Sequence, residues 1–169
     1  MKDWEINEAQ LDDMYTVFNA SSESYVLGKI MNFFLNSNVF AEWKAWEIKN
    51  SIYYAVKHDK YMLHFKKGST PLKCIGFCTW GFLKREEIDN DFWDGNEVFA
   101  RENGEVFYFP TFYCDGGVKE IYKFVTNIQK FIWNNYPNVT TCESYRSKLK
   151  GGNRMQLWKV NQKIKGYRL

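Results

Sequence analysis

The sequence predicts a single α+β domain, a central mixed sheet with helices packed against it, and three stretches carry that prediction. The first is a hairpin. Its alternating arm, Lys60 to Lys66, is joined through Lys67-Gly-Ser-Thr-Pro71 to an apolar strand, Leu72 to Leu83, around which the chain is organised. The second is an almost wholly apolar strand over 105–113 that runs through Asp115-Gly116-Gly117 into a long amphipathic helix. The third is a basic terminal segment that reads as two strands about Lys150-Gly-Gly-Asn.

Taken in order, Leu11, Met14, Tyr15 and Phe18 have helical spacing. Ala20-Ser-Ser-Glu-Ser then supplies a helix-start signal, because serine hydroxyls satisfy the first free backbone amides. A helix from about Glu23 to Leu35 carries Val26, Leu27, Ile30, Met31, Phe33 and Phe34, an apolar face wide enough to predict near-complete burial. After the break at Asn36-Ser-Asn, a segment beginning at Val39 leads into a helix to about Lys57 that is expected to bury Trp46, Ile48, Ile52, Tyr53 and Val56. His58 falls at its end, near the negative pole of the helix dipole. His64 falls inside the first hairpin arm, as a solvent-facing or packed imidazole.

Beyond the central strand, Ile88, Phe92 and Trp93 tack a short acidic helical piece to the body. The 105–113 strand is apolar enough for burial on both faces, hence an interior strand, with a bulge expected at Pro110, which has no amide donor. The long helix is expected to start at Gly117 or the adjacent Asp115 and to run to about Asn135, with Val118, Ile121, Tyr122, Val125, Ile128 and Ile132 on one face, and Asn134-Asn-Tyr-Pro stops it. Strands are expected over Thr140–Leu149 and Arg154–Val160.

Composition narrows the function classes. With 45% hydrophobic and 25% charged residues the chain is globular, and 19% aromatic content implies a ring-filled core or a ring-lined groove. No apolar run approaches the roughly 20 residues that span a bilayer. The start Met1-Lys-Asp-Trp-Glu-Ile lacks a signal peptide's apolar segment, so a cytoplasmic protein is expected. Cys74, Cys78, Cys114 and Cys142 form no C-x-x-C pair. Cys74 and Cys78 are about 13 Å apart if extended, too far to clamp one ion, and the four read as buried thiols with no metal. After Glu143 come eight basic residues and no acid, leaving 15 basic against 20 acidic residues in the rest.

Two places could carry chemistry. A strand, then Asp115-Gly116-Gly117, then a helix start presents free amides and a positive dipole end to an anionic cofactor, although the same pattern also serves as a plain turn. There Asp115 is the expected helix cap, and Cys114 would be a reactive thiol only if the helix start lowered its pKa. In the basic hairpin, Arg146, Lys148, Lys150 and Arg154 are candidate partner-binding residues. With Tyr145 and Trp158 they could suit a nucleic-acid strand, but a solvated face is the simpler reading.

An ordered set of stretches adds to this: Val26-Leu-Gly-Lys-Ile, Ser37-Asn-Val-Phe-Ala-Glu-Trp, Gly76-Phe-Cys-Thr-Trp-Gly-Phe-Leu, Glu86-Glu, Trp93-Asp-Gly and Phe107-Tyr-Phe-Pro-Thr-Phe-Tyr-Cys-Asp-Gly. From about Tyr25 to Trp158 their order and spacing resemble the toxin-activating (hemolysin-activating) lysine acyltransferases, and the Gly-Gly-Val-Lys-Glu-Ile helix with its basic hairpin looks like the phage-borne relatives of that family. The resemblance implies one acetyltransferase-like domain over 1–169, with a basic hairpin and tail over 144–169. It implies an acyl-carrier-protein thioester or acyl-CoA as donor, no metal, and a protein lysine as acceptor. The partners are then acyl carrier protein or a protein substrate, and a homodimer is compatible. A phage-encoded virion component or host-takeover factor, in the bacterial host cytoplasm, is the corresponding non-catalytic reading.

The resemblance also implies a histidine just after Ser37 and an aspartate in the third strand, and these positions read Phe40 and Tyr108. Phenylalanine cannot titrate, and tyrosine does so only near pH ~10. Tyr108 is thus the candidate catalytic acid, donating a proton to the leaving thiolate, while Cys114, Asp115, His58 and His64 are possible substitutes. The alternative is a member that binds without transferring.

Overall fold

A single six-stranded sheet forms the middle of the molecule, in the order β1 (Thr16–Phe18), β2 (Tyr61–Lys66), β3 (Lys73–Leu83), β4 (Val106–Cys114), β5 (Thr141–Ser147) and β6 (Asn153–Lys159). The structure, a computed structural model, describes residues 16–18, 23–90, 92–139, 141–147 and 153–159, with side chains described between 23 and 144. All pairings are antiparallel except β4 with β5, which is parallel. A parallel pair needs a crossover, and the long helix between those two strands supplies it. The sheet is therefore mixed, with β3 and β4 interior, as the apolar runs predict.

The helices are α1 (Glu23–Asn36), α2 (Ala45–Ile48), α3 (Tyr54–Lys57), α4 (Arg85–Asp89), α5 (Gly95–Ala100) and α6 (Gly117–Asn135). Alternation along the strands sends side chains to two faces. On one, Met62, Cys78, Trp80, Phe82, Phe107, Phe109 and Cys142 pack beneath Phe124, Ile128 and Ile132 of α6. On the other, Tyr61, Leu63, Phe65 and Phe77 meet Val26, Ile30 and Phe33 of α1 together with Phe40, Ile52 and Val56. Further along that second face, Leu83, Val106 and Tyr108 meet Ile88 of α4 and Val98 of α5. No helix among the described residues is long and apolar enough to cross a membrane.

Several local expectations are corrected. Thr16–Phe18 is an edge strand paired with His64, Leu63 and Met62, where helical spacing predicts helix; sheet pairing overrides a weak local preference. The rest of that expected helix lies outside the described residues. In α1 only Val26, Ile30 and Phe33 are buried, and Leu35 is 82% exposed. The helix expected from Val39 is a 3-10 turn over Asn38–Phe40, then α2, a π turn over Lys49–Tyr53, and α3. Trp46 and Tyr53, expected in the core, are exposed at 63% and 40%.

On α6 the buried stripe is Phe124, Ile128 and Ile132, whereas Val118 and Tyr122 face solvent. The stripe continues toward the helix start through Glu120, whose carboxylate meets His64 of β2, so a polar residue hides the true phase from an apolar pattern. The bulge does occur where Pro110 predicts it. Thr79 pairs with Thr111 but Gly81 with Tyr108, so Phe109 and Pro110 together oppose Trp80.

Candidate functional site

The residues that could hold a ligand gather where β4 ends. Pairing of β4 with β5 is confined to Phe107, Tyr108 and Phe109 opposite Cys142, Glu143 and Ser144. From Pro110 onward no β4–β5 register pair continues the ladder, and the two parallel strands end beside the start of α6. The carboxyl ends of parallel strands, beside the N-terminus of the crossover helix, are where sheets of this kind receive ligands.

The turn there has its own logic. The Asp115 amide donates to the Ile75 carbonyl at 2.7 Å, which extends the β3–β4 ladder. Gly116 is the N-cap residue, with no side-chain cap, so Asp115 does not play the capping role expected of it. A Cβ on Gly116 would lie 2.9 Å from Ile75 Cδ1 and would collide with the Glu120 side chain. Gly117 has φ +76° with open space around it, a conformation that suits glycine and leaves the first amides of a 19-residue helix free of any side-chain cap. The exposed Asp115 precedes these amides, and the exposed Lys119 lies in the same first turn.

Glu120 reaches the opposite way, into the core. Its Oε2 lies 3.1 Å from His64 Nε2 and its Oε1 accepts from Lys123 Nζ at 2.7 Å. His64 is fully buried and stacks on Phe124 with ring centroids 4.8 Å apart, so the imidazole is packed and cannot meet a substrate. Burial raises the Glu120 pKa, but the hydrogen bonds from Lys123 and His64 outweigh it and hold the carboxyl below its usual range. This histidine–carboxylate pair is a feature of the region that reading the sequence missed. Its signal is a carboxylate in the first turn of the long helix together with a histidine in a strand.

Cys114 is also corrected. Burial, Glu120 and Asp115 push its thiol upward, although the Gly116 amide opposes them, so the helix start does not make a thiolate. Cys74 and Cys142 are pushed to about 11 and about 12, mainly by burial, and all four cysteines are free. His58 ends α3 and contacts Asn96 Oδ1 at 3.0 Å.

Phe40 and Tyr108 lie on the same sheet face in separate clusters. Phe40, 5% exposed, stacks on Phe34 at 4.2 Å and contacts Phe77, Trp43 and Tyr113. Tyr108, also 5% exposed, packs with Leu83, Ile88, Val98 and Val106. Between the two clusters Thr79 and Thr111 face each other across the ladder, and their hydroxyls are buried without a hydrogen-bond partner among the described residues. Along extended β4, Tyr108 and Cys114 are about 20 Å apart at ~3.3 Å per residue, and the Gly116–Gly117 turn lies beyond Cys114. The structure therefore does not bring the candidate acid and the candidate cofactor turn together.

In the basic hairpin Arg146 pairs in register with Arg154, while Lys148 and Lys150 lie outside the described residues. The aromatic content mostly fills the core, and elsewhere a hollow of about 490 Å³ is lined by Trp43, Trp46, Tyr54, Phe92 and Trp93.

No curated protein matches the chain. Residues 19–141 match the family described as RTX toxin acyltransferases.

Proposed function

Because the chain belongs to the RTX toxin acyltransferase family, we propose that it binds the acyl thioester of an acyl carrier protein at the open end of β4 and β5 and does not transfer the acyl group. The family supplies the donor class. One observation carries the second half: Phe40 and Tyr108, where the resemblance implies a histidine and an aspartate, are both buried in apolar clusters at 5% exposure. Lysine acylation needs a base to take the amine proton and a donor for the leaving thiolate. Neither side chain offers a base at neutral pH.

In a transferring enzyme, the amine would attack the thioester carbonyl, the C–S bond would break, and the Tyr108 hydroxyl would protonate the leaving thiolate while its phenolate takes the proton released by the amine. The test is intact mass after incubation of the chain with acyl-carrier thioesters and candidate acceptor proteins, wild type beside Tyr108→Phe. The carrier should stay acylated, and no acceptor should gain mass with either protein. Acceptor acylation by wild type, lost in Tyr108→Phe, would replace the proposal with catalysis through Tyr108.

A further inference from the structure

We infer that the end of the sheet bearing the β2–β3 turn is the docking face for an acidic protein partner. The inference rests on the thioester reading, since the β4–β5 opening lies at this end. Topology places together the end of β2, the start of β3, the ends of β4 and β5 and the start of β6. Lys66, Lys67 and Lys73 flank the turn and are exposed, and Lys119 is exposed in the first turn of α6. Lys29 adds a further cation from α1, across a hollow of about 510 Å³ that it lines with Lys73, Ser24 and Asn32. The backbone positions of Arg146 and Arg154 fall at the same end. The acids described there are Glu23, Asp115 and Glu120, and Glu120 is already committed to His64 and Lys123.

The other end of the sheet is arranged differently. There Lys60 pairs with Glu102, Arg85 with Glu143, and Arg101 with both Glu87 and Glu97, and the exposed Lys57 and Lys84 sit among further acids, Glu86, Asp89 and Glu105, so acidic residues offset the cations. Lys29, Lys66, Lys73 and Lys119 make no ion pair among the described residues. Positive charge left unpaired among the described residues at one end creates a field that steers an oppositely charged surface and speeds its encounter. The spread decides the kind of partner. From β2 to β5 is three strand spacings, about 14 Å, before the helices are added, which exceeds the reach of a small anion and fits a protein surface lined with carboxylates.

The test compares three proteins: wild type, Lys66→Glu/Lys67→Glu/Lys73→Glu, and the control Lys49→Glu/Lys57→Glu/Lys130→Glu, which makes the same charge change elsewhere. Each is titrated with an acylated acyl carrier protein at low and high salt, with a carrier-free acyl-pantetheine thioester, and with a single-stranded oligonucleotide. Carrier affinity should fall at least about tenfold in the first variant at low salt, with a flattened salt dependence, and should hold in the control. Acyl-pantetheine binding should be unchanged in both, which also shows that the variants are folded. Equal carrier binding by wild type and the first variant overturns the docking face while leaving the thioester reading intact. Wild type that binds carrier but not acyl-pantetheine overturns the thioester reading while the variant still tests the face. Oligonucleotide binding lost in the first variant, without carrier binding by wild type, assigns the face to nucleic acid and overturns the inference.

Discussion

Replacing Phe77 with alanine is expected to destabilise the fold by about 3–5 kcal/mol, the scale of a fully buried ring removed without collapse of the space it leaves. Phe77 is fully buried at the centre of β3. Its ring lies 5.5 Å from Phe33, 5.9 Å from Phe40, and 6.3 Å from each of Phe34 and Tyr113. These neighbours come from α1, the 3-10 turn and β4, so no local collapse of one element can fill the space. Urea unfolding should show a lower midpoint with an unchanged slope. Trp46→Ala is the internal contrast. The sequence places Trp46 in the core, yet at 63% exposure its removal should change stability by less than about 0.5 kcal/mol.

Arg101→Met is expected to cost about 2–3 kcal/mol near neutral pH, because it removes several charge-assisted hydrogen bonds at once. Arg101 donates from Nη1 to Glu87 Oε2 at 2.6 Å and to the Phe82 carbonyl at 3.3 Å. From Nη2 it donates to Glu87 Oε1 at 2.7 Å and Glu97 Oε1 at 2.8 Å. The Arg101 and Glu87 side chains are only 18% and 15% exposed, so solvent does little to replace the lost partner. The guanidinium ties α4, α5 and the end of β3 together over the Tyr108 cluster. Its hydrogen bonds, opposed by burial, hold the Glu87 carboxyl below the ordinary value of 4.5. A depressed carboxylate stabilises the fold fully above its unfolded pKa and loses that contribution as pH falls through its folded value. The stability gap between wild type and Arg101→Met should therefore be full at neutral pH and narrow on acidification below about 4.5. Paired thermal melts at several pH values read this directly.

Much of the architecture was legible because apolar runs and turn residues act locally. The Leu72–Leu83 run, the Lys67-Gly-Ser-Thr-Pro71 turn and the stop at Pro137 place the central hairpin and the long helix within a residue or two. What was not legible depends on contacts distant in sequence. Thr16–Phe18 is a strand only because β2 offers it an edge, and the phase of α6 is set by Glu120 meeting a histidine 56 residues earlier. Lys60, the first residue of the alternating arm, is 5% exposed, with its ammonium 4.5 Å from the centre of the Trp80 ring and its partner at Glu102. The Asp115-Gly116-Gly117 turn was visible as a motif, but the reason Gly116 must be glycine, the approach of Ile75 and Glu120, was not. That Phe40 and Tyr108 stand where a histidine and an aspartate are expected rests on the resemblance. Their burial adds the physical ground for treating both as packing residues.

The most direct test of thioester binding at the end of β4 is amide chemical-shift mapping of the isotopically labelled chain titrated with an acyl-pantetheine thioester. The largest perturbations are expected at Thr111–Gly117 and at residues 145–147, with small changes around Trp46 and Phe92. Saturable perturbations confined to the Trp43–Trp93 hollow, or none at any concentration reached, would contradict thioester binding at this end of the sheet.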